Sequence, residues 1–200
     1  IDTGVFGGLI SSGNYFGMNY NLSARMRHEL TWDFIYNDGI DVAFLSFAEV
    51  DQYGNVNVSK FGDKMNGCGG FIDISQSVKR IVFSASMVVG GQLNFVNGEA
   101  QVETQGKSPK FVKEVGNIDF NVENARKLAQ EVYFVTERAV FELTDKGIKL
   151  IEIAPGLDLE RDILANMEFQ PIISDEINIT QNDIYQKTWG GLSQVIKSED

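Results

Sequence analysis

Gly67-Cys68-Gly69-Gly70-Phe71-Ile72-Asp73-Ile74-Ser75 is a glycine cluster running into a short apolar stretch able to open a helix. Glycines there let a backbone approach a ligand closely, and the free N–H groups of a helix start can hold a negative oxygen. A second cluster stands at the beginning of the chain, Asp2-Thr3-Gly4-Val5-Phe6-Gly7-Gly8, with a carboxylate beside a glycine-lined turn. Together the two suggest a nucleophilic carboxylate and an oxyanion site. One glycine-rich loop by itself would be a weak signal.

The flanks of the first stretch set the fold class. Upstream, residues 41–48 form a near-continuous apolar run that suits a buried parallel strand. Residues 51–70 are polar and glycine-rich and read as a long loop, a length usually tied to function or disorder. Residues 72–78 read as a short helix and 80–86 as a strand. Further out, 23–36 reads as a helical segment ended by the turn Asn37-Asp38-Gly39. Residues 92–104 partly alternate around Asn97-Gly98, a hairpin signal. A helix is expected over 121–130. Strands are expected over 132–144 and 148–153 about Asp145-Lys146-Gly147, and a further helix from 157 to about 167. The polar tail after Asp175 reads as frayed or as a crossing arm. Strands alternating with helices and then hairpins indicate an α/β fold with a mixed sheet.

Composition narrows the function. Two hundred residues at 43% hydrophobic content suffice for one core, so a single domain over 1–200 is expected. A net charge of −11 disfavours nucleic acid and anionic membranes as partners. No apolar run reaches membrane-spanning length, and a single cysteine suits a reducing, cytoplasmic setting without an internal disulfide. The one histidine, His28, has no cysteine near it in sequence, and no metal-ligand spacing is present, so no metal is expected.

Two further stretches make a resemblance specific. One is Asp41-Val42-Ala43-Phe44-Leu45, continuing through Glu49-Val50-Asp51 to Gly54-Asn55-Val56-Asn57-Val58-Ser59. The other is Val135-Thr136-Glu137-Arg138-Ala139-Val140-Phe141-Glu142-Leu143, followed by Glu152-Ile153-Ala154-Pro155-Gly156. In this order and spacing they resemble the C-terminal, β-like half of the family I coenzyme A transferases, of the acetate/acetoacetate or short-chain acyl-CoA:acetate type, over roughly residues 1–175.

The resemblance implies a three-layer, Rossmann-like CoA-transferase fold. It implies transfer of coenzyme A between a short-chain acyl-CoA and a free carboxylic acid, with coenzyme A as a substrate and no resident cofactor. It also implies an α-like half, in the same chain or another subunit, as partner in an oligomer, and a strand ahead of the first glycine cluster. The chain lacks that strand and reads as a piece of a longer chain or subunit. In the family the nucleophile is a glutamate two residues before the first glycine, and that position here is Asp2. The side chain is shorter by one methylene, and a misplacement of ~1 Å can cost on the order of 10²-fold in rate. Asp2 is therefore a weakened nucleophile, an engineered change or the mark of a subfamily with adjusted geometry; without the resemblance it reads as a turn or capping acid.

Gly69 and Gly70 are the candidate backbone donors to the oxyanion, with Gly70 taken as catalytic. Gly4, Gly7, Gly8, Asn55, Gly69 and Phe71 are the expected substrate contacts. Asn55 and Asn57 either bond substrate or hold their loop. Lys60 and Lys64 read as solvated, Cys68 as a small packed side chain, His28 as structural, and Glu137-Arg138 as a strand-end or interface ion pair. Two rival functions stay open: acyl-CoA hydrolysis through the same carboxylate, and a non-catalytic CoA-binding or structural half.

Overall fold

The computed structural model describes residues 3–11, 13–15, 18–37, 40–186, 188 and 191. Its centre is a six-stranded mixed sheet built from β1 (Val42–Leu45), β2 (Arg80–Ser84), β3 (Glu131–Val135), β4 (Ala139–Thr144), β5 (Gly147–Ile153) and β6 (Ile172–Ile179). The strands lie side by side in chain order. β1, β2 and β3 are parallel, β3–β4 and β4–β5 are antiparallel, and β5–β6 is parallel again. Parallel neighbours need crossovers, and these carry α2 (Phe71–Ser77) between β1 and β2 and α3 (Val122–Lys127) between β2 and β3. A further helix, α1 (His28–Tyr36), precedes β1. No helix among the described residues is long and apolar enough to cross a membrane.

The core is aromatic. Ile81 and Phe83 of β2 sit opposite Val132 and Phe134 of β3 and share one face with Phe47, Phe71, Phe111, Phe120 and Phe141. Phe83 stacks on Phe71 of α2 at 5.7 Å and on Phe134 at 5.4 Å, and meets Phe120 edge-on at 5.2 Å. Val122 and Ala125 of α3 are buried too, and Ala125 belongs to the same cluster. The opposite face of the parallel strands is barer. Phe44, paired with Val82, is 76% exposed. The apolar run 41–48 thus covers a strand buried on one face at the sheet's edge, not a doubly buried one.

Several expectations are redrawn. Residues 132–144 are two strands folded back at Thr136–Arg138, because Thr136 Oγ1 bonds the Ala139 backbone and closes a turn that contains no glycine, proline or asparagine. The tail after Asp175 continues β6, an edge strand of isoleucines and polar residues. The helix from 157 is a π-turn, Leu159–Ile163, capped by Asp158 and followed by the 3₁₀ turn Leu164–Asn166. Residues 51–70 hold short strands in place of an open loop. Val56–Asn57 pairs with Glu49–Asp51, which Phe111–Val112 joins, and Lys60–Phe61 pairs with Lys64–Met65. The hairpin at Asn97-Gly98 is as expected: Gln92–Val96 pairs with Glu99–Thr104, and both turn residues take positive φ, 54° and 84°.

Candidate active site

The amino-terminal glycines shape a hairpin. Val5–Phe6 pairs with Ala24–Arg25, and Leu9–Ile10 with Asn19–Tyr20. The helix expected over 23–36 therefore starts only at His28. Gly4, Gly7 and Gly8 have φ of 83°, 68° and 78°, a region open to glycine. A Cβ on each would lie 2.4 Å from Met26 O, Ser23 Oγ and Tyr20 O respectively, so these positions are tied to the returning strand. Asp2, the expected nucleophile, lies outside the described residues.

The two glycine clusters meet the same helix. The Cβ that Gly4 lacks would fall 2.8 Å from Thr31 Oγ1 of α1; the one that Gly70 lacks would fall 2.3 Å from Cη2 of Trp32, the next residue. α1 is further joined to the hairpin by the Phe6–Phe34 edge contact at 6.2 Å, and to α2 by the Tyr36 hydroxyl, which donates to Asp73 and whose pKa that bond raises. His28, exposed at the start of α1, packs edge-on against Trp32 at 5.5 Å.

Within the loop the glycines differ. Gly67 and Gly69 have φ of 75° and 54° with open space around them, whereas Gly70 has φ −83° and is glycine because of Trp32. The positive-φ requirement therefore belongs to Gly67 and Gly69. Among the described residues, the N–H groups of Gly69 and Gly70 meet no backbone acceptor, while Phe71 N–H bonds Cys68 O at 3.0 Å. Phe71 itself is buried against Phe83.

The carboxyl ends of β1, β2 and β3 open on two clefts, the edge at which open α/β sheets take their ligands. One, about 300 Å³, lies between Ser46-Phe47-Ala48 after β1 and the glycine loop, with Gly67, Cys68 and Phe71 in its wall. Cys68 is half-buried there as a free thiol. The other, about 470 Å³, lies between Ser84-Ala85-Ser86 at the end of β2 and Val135-Thr136-Glu137 at the end of β3. The Lys110 ammonium stands 5.9 Å over the Phe47 ring, and burial pushes its pKa down.

Asn55 points inward. Its Nδ2 donates to Asp51 Oδ2 at 3.1 Å, and its Oδ1 accepts the Val122 N–H at the start of α3 at 3.0 Å. Both bonds hold its loop against α3. Asn57 is likewise bonded to Glu49, Ser59 and Lys60. Lys60 and Lys64 are exposed on their hairpin. Among the described residues no group of three or more His, Cys, Asp or Glu could hold a metal ion.

No protein-family model matches the chain. It is 42% identical over 186 residues, 92% of its length, to the acetate CoA-transferase YdiF of Escherichia coli K12. It is 38% identical over 200 residues, 98% of its length, to the caffeate CoA-transferase of Acetobacterium woodii. The chain belongs to the family I coenzyme A transferases. It spans 35% and 38% of the lengths of those two relatives. The crystal structure of the YdiF apoenzyme from E. coli O157:H7 superposes with a TM-score of 0.89 at 40% identity, covering 96% of this chain and 36% of that one. Glutaconate CoA-transferase from Acidaminococcus fermentans, at 15% identity and TM-score 0.67 over 90% of this chain and 72% of that one, shares the fold.

Sequence reasoning passed over Trp32 and the strand ends of this CoA-transferase fold. A signal for the latter was available: each parallel strand closes on a small hydroxyl residue, Ser46, Ser84 or Thr136.

Proposed function

We propose that the protein containing this chain transfers coenzyme A between a short-chain acyl-CoA and a free carboxylic acid, with Asp2 as the nucleophile. The observation that supports this reading is the shared footing of the two glycine clusters on one helix, Gly4 against Thr31 and Gly70 against Trp32. The relatives named for CoA transfer to acetate and caffeate support the reaction class.

In this reading the Asp2 carboxylate attacks the thioester carbonyl. The oxyanion that forms takes hydrogen bonds from the Gly69 and Gly70 N–H groups, and its collapse expels CoA thiolate to leave an acyl-aspartyl anhydride. The thiolate then attacks the aspartyl carbonyl, releasing the first carboxylate and leaving an aspartyl-CoA thioester. An incoming carboxylate reverses the sequence. A carboxylate needs no deprotonation at neutral pH, and its weakness in water is a matter of hydration, which a closed site with fixed donors removes. Coenzyme A is a substrate here, and an α-like half, fused or separate, completes the site.

The test is exchange of labelled CoA between acetyl-CoA and short acids in the complete protein. Asp2→Asn should abolish it and Asp2→Glu should keep or raise it. Undiminished exchange by Asp2→Asn would remove Asp2 from the mechanism, and release of free CoA at the same rate with and without acceptor acid would make the protein a hydrolase.

A further inference from the structure

Glu137 is the acidic residue in the wall of the larger cleft, at the carboxyl end of β3. Its carboxylate does not swing freely. Oε2 accepts the Met87 N–H at 2.8 Å, and Oε1 is shielded 3.4 Å from Nε of Arg138. That contact neutralises charge but lacks hydrogen-bond geometry, and both atoms are without a hydrogen-bond partner among the described residues.

Arg138 is fully buried. Its Nη1 donates to Asp162 O at 3.0 Å, and Gly91, without a side chain, leaves room for Nη2. The carboxylate is thus anchored from behind by a fixed cation and from one side by a backbone N–H, while about a quarter of its side chain remains exposed. A carboxylate has about four acceptor positions; among the described residues one hydrogen-bond donor, Met87 N–H, reaches it at Oε2, and Oε1 is buried, so the oxygen left to a ligand is Oε2. The rest of the wall, Ser84, Ala85, Ser86, Val135 and Thr136, is small or apolar.

We infer that the cleft at the ends of β2 and β3 is a ligand subsite in which the Glu137 carboxylate accepts a hydrogen bond from a neutral N–H or O–H donor on an otherwise apolar segment of the substrate. A pinned acceptor in an open, largely apolar cleft selects such a donor over a second anion, which the carboxylate repels. Resting on the acyl-CoA reading above, the donor has two sources: an amide of the thioester's pantetheine arm, or a hydroxyl on the acyl chain.

The experiment measures dissociation constants by ligand-observed NMR on the complete protein, wild type and Glu137→Gln. The probes are pantetheine, butyrate and 3-hydroxybutyrate. Glu137→Gln retains a carbonyl for Met87 and should weaken the recognised probe on the order of tenfold to a hundredfold, the worth of a hydrogen bond to a charged group. Loss of pantetheine alone assigns the amide arm; loss of the preference for 3-hydroxybutyrate over butyrate assigns the acyl chain.

Ala85→Val narrows the same cleft without touching Arg138 and should weaken the same probe, so it reads the subsite if Glu137→Gln does not fold. Unchanged constants in the folded variants, or no binding of any probe by wild type, overturn the inference. A protein that binds through Glu137 yet moves no CoA would contradict the proposed reaction and leave this subsite standing.

Discussion

Gly70 and Trp32 offer the sharpest perturbation. Gly70→Ala leaves the backbone unstrained, since φ is −83°, but sets a methyl 2.3 Å from Trp32 Cη2, where ordinary contact begins at 3.4 Å. Overpacking of this kind costs about 1–3 kcal/mol. Trp32→Leu removes the offending ring carbon, so the double variant should recover most of that loss, with a coupling energy of about 1–3 kcal/mol in a double-mutant cycle. Gly69→Ala is the internal control. Its φ of 54° sits in open space, so its cost of about 1–2 kcal/mol is backbone strain that Trp32→Leu cannot relieve and that Gly69→Asn lessens. Urea unfolding of the single and double variants supplies all the terms, and CoA exchange by the same proteins tracks the loop. A Gly70–Trp32 coupling near zero, or rescue of Gly69→Ala by Trp32→Leu, would refute the assignment of distinct reasons to adjacent glycines.

Other consequences are open to measurement. Asn55→Ala strips the Val122 N–H and Asp51 of a buried partner and should cost about 1–3 kcal/mol in urea unfolding. Arg138→Met leaves the Glu137 carboxylate without its buried cation and should cost about 3–5 kcal/mol, read as a lowered thermal midpoint. Asp162 is held below the usual carboxylate range, first by its hydrogen bond from Arg161. A depressed folded-state pKa adds stability that is complete above the unfolded value and is lost as pH falls through the folded one. Arg161→Gln should therefore lower stability at neutral pH and flatten its fall on acidification, so that the two proteins converge below the folded-state value; equal stability of variant and wild type at neutral pH would show that the pair contributes nothing.

The parallel half of the sheet was legible because its signals are local. Residues 41–48 and 80–86 are apolar runs bounded by polar turns, and Asn97-Gly98 supplies the two positive φ values its hairpin requires. The amino-terminal hairpin was not. Its strands are two residues long and pair across residues 5–25, too short to show alternation and too far apart for a turn signal. The fold-back at Thr136–Arg138 was hidden for a different reason: a side-chain hydroxyl closes it where glycine or asparagine usually does. β6 escaped because an edge strand tolerates acids and amides among its isoleucines and so resembles a polar tail.

The site divides in the same way. Both glycine clusters announced themselves, but their reasons did not. Gly70 answers to Trp32, thirty-eight positions earlier in the chain, and Asn55 to the start of α3; such contacts exist only once the chain has folded.

The central claim is that a carboxylate next to the first glycine cluster carries coenzyme A covalently. Mass spectrometry of the complete protein after incubation with acetyl-CoA, followed by peptide mapping, tests it directly. The account predicts a CoA thioester on Asp2, absent from Asp2→Asn and discharged by added acetate. A CoA adduct on any other residue, or steady exchange with no adduct at Asp2, would contradict it.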